Sequence, residues 1–159
     1  MIPGMILKFL QDRGTIAVSG TRDAKRVPHV HYVSGWDVES DRETIRCSIN
    51  RAYLDPLFSS LEDNGQFAMT VEQIGTHETY QLKGNYAGQA EPNDADLAAH
   101  QRIAGRFAKA VSALFGLSEE DCRAFISSPS VIVRFKVREI FLQTPGPGAG
   151  RRVFPPEGQ

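Results

Sequence analysis

The sequence predicts a mainly β fold, a six-stranded antiparallel β-barrel with short appended helices, and three features carry that prediction. Apolar and polar residues alternate with period two in six segments, the first three segments follow one another through short polar turns, and the last changes phase midway. Consecutive strands joined by turns favour antiparallel pairing. A strand whose two halves bury opposite faces suits the place where a sheet bends to close.

Met5, Ile6, Phe9 and Leu10 recur at helical spacing and Gly14 follows, so the chain opens with a short amphipathic helix ended by a left-handed glycine. From Gly14 to Thr21 the period switches to two, with Ile16 and Val18 alternating against Thr15, Ala17 and Ser19. Thr21 to Arg26 is a polar connection, Val27 to Trp36 a second strand, and Asp37 to Arg42 a further turn. Ile45, Cys47 and Ile49 then alternate with Thr44, Arg46 and Ser48 in a third strand. Asp55 before Pro56 predicts a helix start, because a carboxylate caps free amides and proline tolerates the first helical position. Leu57, Phe58 and Leu61 line one face of that helix, and Asn64-Gly65 stops it.

Two strands follow, Gln66 to Ile74 and Glu78 to Ala90, linked by a hairpin at Gly75 to His77. In the second, Tyr80, Leu82, Gly84 and Tyr86 share one face and Gln81, Lys83 and Asn85 the other. Asn93 with Asp96 reads as a capping box, and Leu97, His100, Ala104, Phe107, Val111 and Leu114 keep helical spacing up to Gly116. Ser118 with Asp121 repeats the start signal for a shorter helix reaching about Ser127, so residues 93–127 form a helical excursion. In the last strand, Val131 to Gln143, Val131, Val133, Phe135 and Val137 share one face while Ile140 and Leu142 take the opposite phase. That break predicts a bulge near Arg138 and Glu139, or burial of both faces. Residues 1–143 read as one domain without internal repeats. The Pro/Gly-rich tail 144–159 is expected to be irregular, disordered or laid along the surface.

The 159 residues can bury a core without a staple, and 18 basic against 19 acidic residues give no long-range attraction to nucleic acid or an anionic membrane. Cys47 and Cys122 lack CxxC spacing and fit as small apolar residues of a strand and a helix. Met1 to Phe9 has neither a basic n-region nor a small-residue cleavage site, and no apolar run approaches the ~18 residues of a span. The expectation is a cytoplasmic protein with neither nucleic acid nor membrane as partner.

No P-loop, GxSxG elbow, HExxH or GxGxxG is present, which removes many hydrolase and nucleotide-binding readings. The candidates are polar residues on strands. His29 and His31, two apart, share a face; without an acidic or thiol partner at fixed spacing they fit hydrogen bonding to a flavin ring better than a metal. Ser48, Asn50 and Arg51 bring a hydroxyl, an amide and a guanidinium to the end of the third strand, a set able to hold a phosphate. Gln81 and Lys83 stand together beside Gly84, where a missing side chain lets a ligand come close; a solvent-facing polar row is the plain alternative. Arg134, Lys136 and Arg138 form a basic row with no interleaved aromatics, read as a wet face without a ligand.

The opening helix, the strand Gly14 to Thr21, Val27-Pro28-His29-Val30 and the third strand are similar in order and length to the small flavin-binding split barrels related to pyridoxamine 5'-phosphate oxidase. Tyr80-Gln81-Leu82-Lys83-Gly84, Ser118-Glu119-Glu120-Asp121 and the string Phe141 to Gly150 resemble a bacterial subgroup of those proteins. The resemblance implies a six-stranded antiparallel split β-barrel that forms a homodimer with two flavin mononucleotides (FMN) at the subunit interface. It further implies that basic residues after the third strand hold the phosphate and that the ring lies across strands of both chains. Arg51, with Ser48 and Asn50, matches the phosphate position, and His29, Val30, His31, Gln81 and Lys83 match the strands along the ring. Ala52, Tyr53 and Leu57 stand where the family carries a second basic residue, and the arginine- and histidine-rich ending of true pyridoxamine-phosphate oxidases is missing. The function implied is a flavin-dependent oxidoreductase acting on a small molecule. The alternatives are a binding or sensing module for flavin, haem or deazaflavin, and a purely structural dimer.

Overall fold

A computed structural model describes residues 1–12, 14–50 and 54–155. Helix α1 (Gly4–Asp12) leads into strands β1 (Thr15–Arg22), β2 (Pro28–Val38) and β3 (Thr44–Ile49). Helix α2 (Leu54–Asn64) precedes β4 (Gln66–Gln73) and β5 (Thr79–Ala90); α3 (Asp94–Phe115) and α4 (Glu119–Ala124) precede β6 (Val131–Leu142) and β7 (Arg152–Phe154). The neighbour order is β3-β2-β1-β4-β5-β6, all antiparallel, and β3 also pairs with β6, so six strands close into a barrel as expected.

Strand alternation fills the interior. Ala17, Val33, Ile45, Cys47, Ile49, Phe67, Met69, Leu82, Phe135 and Ile140 are all buried in one cluster, with the Phe67 and Phe135 rings 4.8 Å apart. Helix α1 adds Ile6, Phe9 and Leu10 to it; the Trp36 indole N–H donates to the Leu10 carbonyl at 3.1 Å, and Phe9 meets Tyr80 edge to face. Both cysteines are free and buried, and burial pushes the Cys47 thiol well up, so it stays protonated and packs as an apolar group.

Helix α3 starts on the expected capping box, with Asn93 Oδ1 accepting from the Asp96 amide and Asp96 Oδ2 from the Asn93 amide, each at 3.0 Å. It lies along β2 so closely that a Cβ on Gly35 would come within 2.9 Å of the His100 Cα. Asp96, buried, accepts two bonds from Arg46 at 2.8 and 2.6 Å, and Glu39 takes a second bidentate pair from Arg134 at 2.6 and 2.9 Å. Burial works against the Asp96 carboxylate, but the Arg46 guanidinium keeps its pKa below the ordinary range.

Three local expectations change. Helix α2 is already under way at Leu54, so Asp55 lies in its first turn rather than serving as its cap. Helix α4 stops at Ala124, short of Ser127. The tail is not irregular throughout: Arg152–Phe154 form β7 on the outside of β6, where Val153 and Phe154 pack against the core and Arg152 reaches Glu139 at 3.2 Å. Two apolar residues to bury and a free strand edge outweigh the flanking Pro and Gly.

Candidate ligand groove

The groove follows from one irregularity in the sheet. Lys83 pairs with Glu139 and Gly84 with Val137, so Arg138 has no partner on β5 and forms a bulge where the phase break placed it. The strands are pressed together there: a Cβ on Gly84 would fall on the Lys136 carbonyl. Lys83 and Arg138 thereby line the same groove, together with Gly20, Thr21 and Arg22 of β1 and the start of β4. Its volume of about 460 Å³ falls in the range of small-molecule sites.

The floor is set by register. Val30 pairs with Gly20, Gly20 with Ala68, and Ala68 with Lys83, so one outward-facing row crosses four strands. Gly20 and Ala68 leave a trough between Val30, 69% exposed, and Lys83, whose ammonium sits 4.6 Å from the Phe141 ring centroid. Gln81 belongs to the adjoining row with Thr70 and Val18, its amide donating to the Thr70 hydroxyl at 3.3 Å.

The expected site residues fall into separate places. Val30, Gln81 and Lys83 share the outer face. His29 and His31 share the phase of the core residue Val33 instead: His31 is buried, and His29 Nε2 lies 3.4 Å from Asp23 Oδ2. Burial, and then the nearby His29, push the His31 pKa down and favour the neutral ring. Ser48 is buried on the outward phase of β3, the phase on which Arg46 binds Asp96 of α3, and half-buried Asn50 follows. Arg51 lies outside the described residues. Ser48 pairs with Ile132 and Lys83 with Glu139, seven residues apart along β6, which separates them by about 20 Å.

Charge in the groove is uneven. Arg134 is held by Glu39 and Lys136 by Glu43 at 2.9 Å, while Glu139 is tied to Arg152. Among the described residues no carboxylate pairs with Lys83 or Arg138, and the buried Thr21 hydroxyl has no hydrogen-bond partner. Arg138, expected from the sequence only to keep its face wet, lines the groove, and the phase break that located the bulge was the available signal for it. No group of three or more metal-ligating side chains occurs among the described residues, and no described helix is long and apolar enough to cross a membrane.

Solved structures place this barrel. HupZ of Group A Streptococcus superposes with a TM-score of 0.56 at 18% identity, over 94% of this chain and 100% of that one. The chain has the split-barrel fold of pyridoxamine-phosphate-oxidase-like proteins. A second split barrel, a putative pyridoxamine 5'-phosphate oxidase from Lactobacillus delbrueckii, superposes with a TM-score of 0.50 at 14% identity, over 88% and 93% of the two chains. No protein-family model and no curated protein matches the sequence.

Proposed function

We propose that this chain binds FMN as a homodimer and acts as a flavin-dependent oxidoreductase on a small molecule. The observation that carries the reading is the row Val30–Gly20–Ala68–Lys83, a strip about 14 Å wide from its three strand spacings, apolar at one end and cationic at the other. A planar ring system fits a trough whose middle lacks side-chain bulk, and Gln81 and Lys83 offer donors to its polar edge. FMN supplies the electron chemistry when bound, while the protein binds, orients and shields the ring.

The second subunit has two reasons. Val30 and Val18 expose apolar surface on the outer face of β1 and β2, which a second copy would cover. Ser48 and Lys83 lie too far apart along β6 to grip one compact mononucleotide from a single chain, so a flavin using both draws on two. The free cysteines suit a reducing cytoplasm.

One observation favours a second reading, a module that keeps flavin, deazaflavin or haem without turnover. Among the described residues the groove lining holds no His or Cys, and its carboxylate, Glu139, is already engaged by Arg152. Haem is the weaker choice, because neither His29 nor His31 lines the groove. Stopped-flow mixing of FMN-loaded protein with nicotinamide donors, then with a small acceptor, tests turnover. The oxidoreductase reading expects loss and return of the flavin's visible band; bound flavin that no donor reduces would leave the binding module.

A further inference from the structure

The corner between α3 and α4 exposes an apolar stripe that is buried elsewhere on α3. Ala99, Ile103 and Phe107 are buried, and the stripe continues at helical spacing through half-buried Val111 to Leu114 and Phe115, 54% and 69% exposed. Leu117, just beyond, is 46% exposed. We propose that this corner docks in the ligand groove of a second copy of the chain, so that each subunit of the homodimer roofs the groove of the other. The inference rests on the homodimer of the preceding reading and not on FMN.

Placement, shape and charge point to this occupant. Asp96 binds Arg46 of β3, a Cβ on Gly35 of β2 would meet His100, and one on Gly14, just ahead of β1, would meet Ala110. Helix α3 therefore crosses the outer face strand by strand, and residues 111–115 run on past β1. The outward row of β1 begins there and passes through Ile16 and exposed Val18 to Gly20, which lines the groove six residues and about 20 Å from Gly14. Corner and groove thus lie at opposite ends of one row, on the same side of the barrel. A two-fold axis near Val18 exchanges the ends and sets each corner over the other subunit's groove, an isologous contact made twice. Projecting Leu114 and Phe115 then meet the trough left by Gly20 and Ala68 beside exposed Val30. The charges match as well. Glu119, Glu120 and Asp121 are exposed in the first turn of α4, whereas Arg22, Lys83 and Arg138 line the groove, whose carboxylate, Glu139, is tied to Arg152. Two corners packed on each other would instead bring their acidic triplets together.

The test is sedimentation equilibrium of the full chain at low ionic strength, where exposed charges are least screened. One variant reverses the corner, Glu119→Lys with Glu120→Lys; the other reverses the groove, Arg22→Glu with Arg138→Glu. Each should weaken its own homodimer about tenfold or more, because both contacts of the pair then set like charges together. Mixed one to one, they should form a heterodimer near wild-type affinity, since both of its contacts join opposite charges. Phe115→Ser, at an exposed position, should weaken dimerisation several-fold with the fold intact. Arg22→Glu alone carries the groove arm if the Arg138 change disturbs the bulge. Wild-type dimerisation in both charge variants would overturn the proposal, and so would a mixture that associates no more tightly than its components. If Val30→Lys were monomeric in that case, the homodimer would stand on the barrel face without this contact. A wild-type chain that stays monomeric would remove the homodimer itself and this contact with it. Charge-exchanged dimers that take up no FMN would remove the flavin reading and leave the docking standing.

Discussion

Lys83 stands opposite Glu139, and the next pair on the ladder skips Arg138, so a lysine of one strand and an arginine and a glutamate of its neighbour line one groove. The bulge that arranges this also lets β6 bury Val131, Val133, Phe135 and Val137 before it and Ile140 after it. Barrel closure and the groove therefore share one cause.

Gly84→Ala tests that shared cause. The added Cβ collides with the Lys136 backbone, which has no flexible end to give way. The expected loss is about 3 kcal/mol or more, in the range of severe overpacking. Urea denaturation reads it directly; a midpoint matching wild type would mean the strands are not so close.

Asp96→Ala removes the partner of Arg46 and half of the α3 capping box. Because the carboxylate is buried and Arg46 mostly so, the expected cost is about 2 kcal/mol or more. The midpoint should fall while the denaturant slope stays constant. A loss near zero would assign α3 docking to the Gly35–His100 contact alone.

Val30→Lys places a charge on the surface offered to a second subunit. Sedimentation should find a dimer for wild type and a monomer for the variant, with the variant's own fold intact by circular dichroism. A monomeric wild type at micromolar concentrations would remove the homodimer.

His31 gives a pH dependence of definite sign. Its folded pKa is lowered, first by burial and then by His29, while the unfolded chain protonates near the ordinary 6.5. The unfolded state therefore binds more protons in the window below 6.5. The stability due to the neutral ring is complete above that value and is lost as the pH falls through the folded pKa. Unfolding free energies at about pH 7.5 and about pH 5.5 should differ less in His31→Phe than in wild type. An equal pH dependence in both would place the cause elsewhere.

Most of the barrel was legible because its signals are local: period-two alternation, the Asn93–Asp96 box and the phase break after Val137 each act within a few residues. What was not legible depends on pairing across the sheet. β7 exists because the edge of β6 accepts it, which no pattern inside Arg152–Phe154 announces. The β1–β2 face was hidden for another reason. In the first half of β2 the histidines take the core phase and Val30 the outer one, an inversion that reads as a polar face until Val33 fixes the register. Arg138 looked like the end of a solvated row because the partners of Arg134 and Lys136, Glu39 and Glu43, are distant in sequence.

The most direct measurement is a titration of the purified full chain with FMN, following flavin fluorescence and thermal stability together. Saturable quenching at one FMN per chain with a rise in melting temperature that grows with ligand concentration is the predicted result, since a ligand specific for the fold must stabilise it. A chain whose melting temperature and flavin signal ignore excess FMN would contradict the assignment.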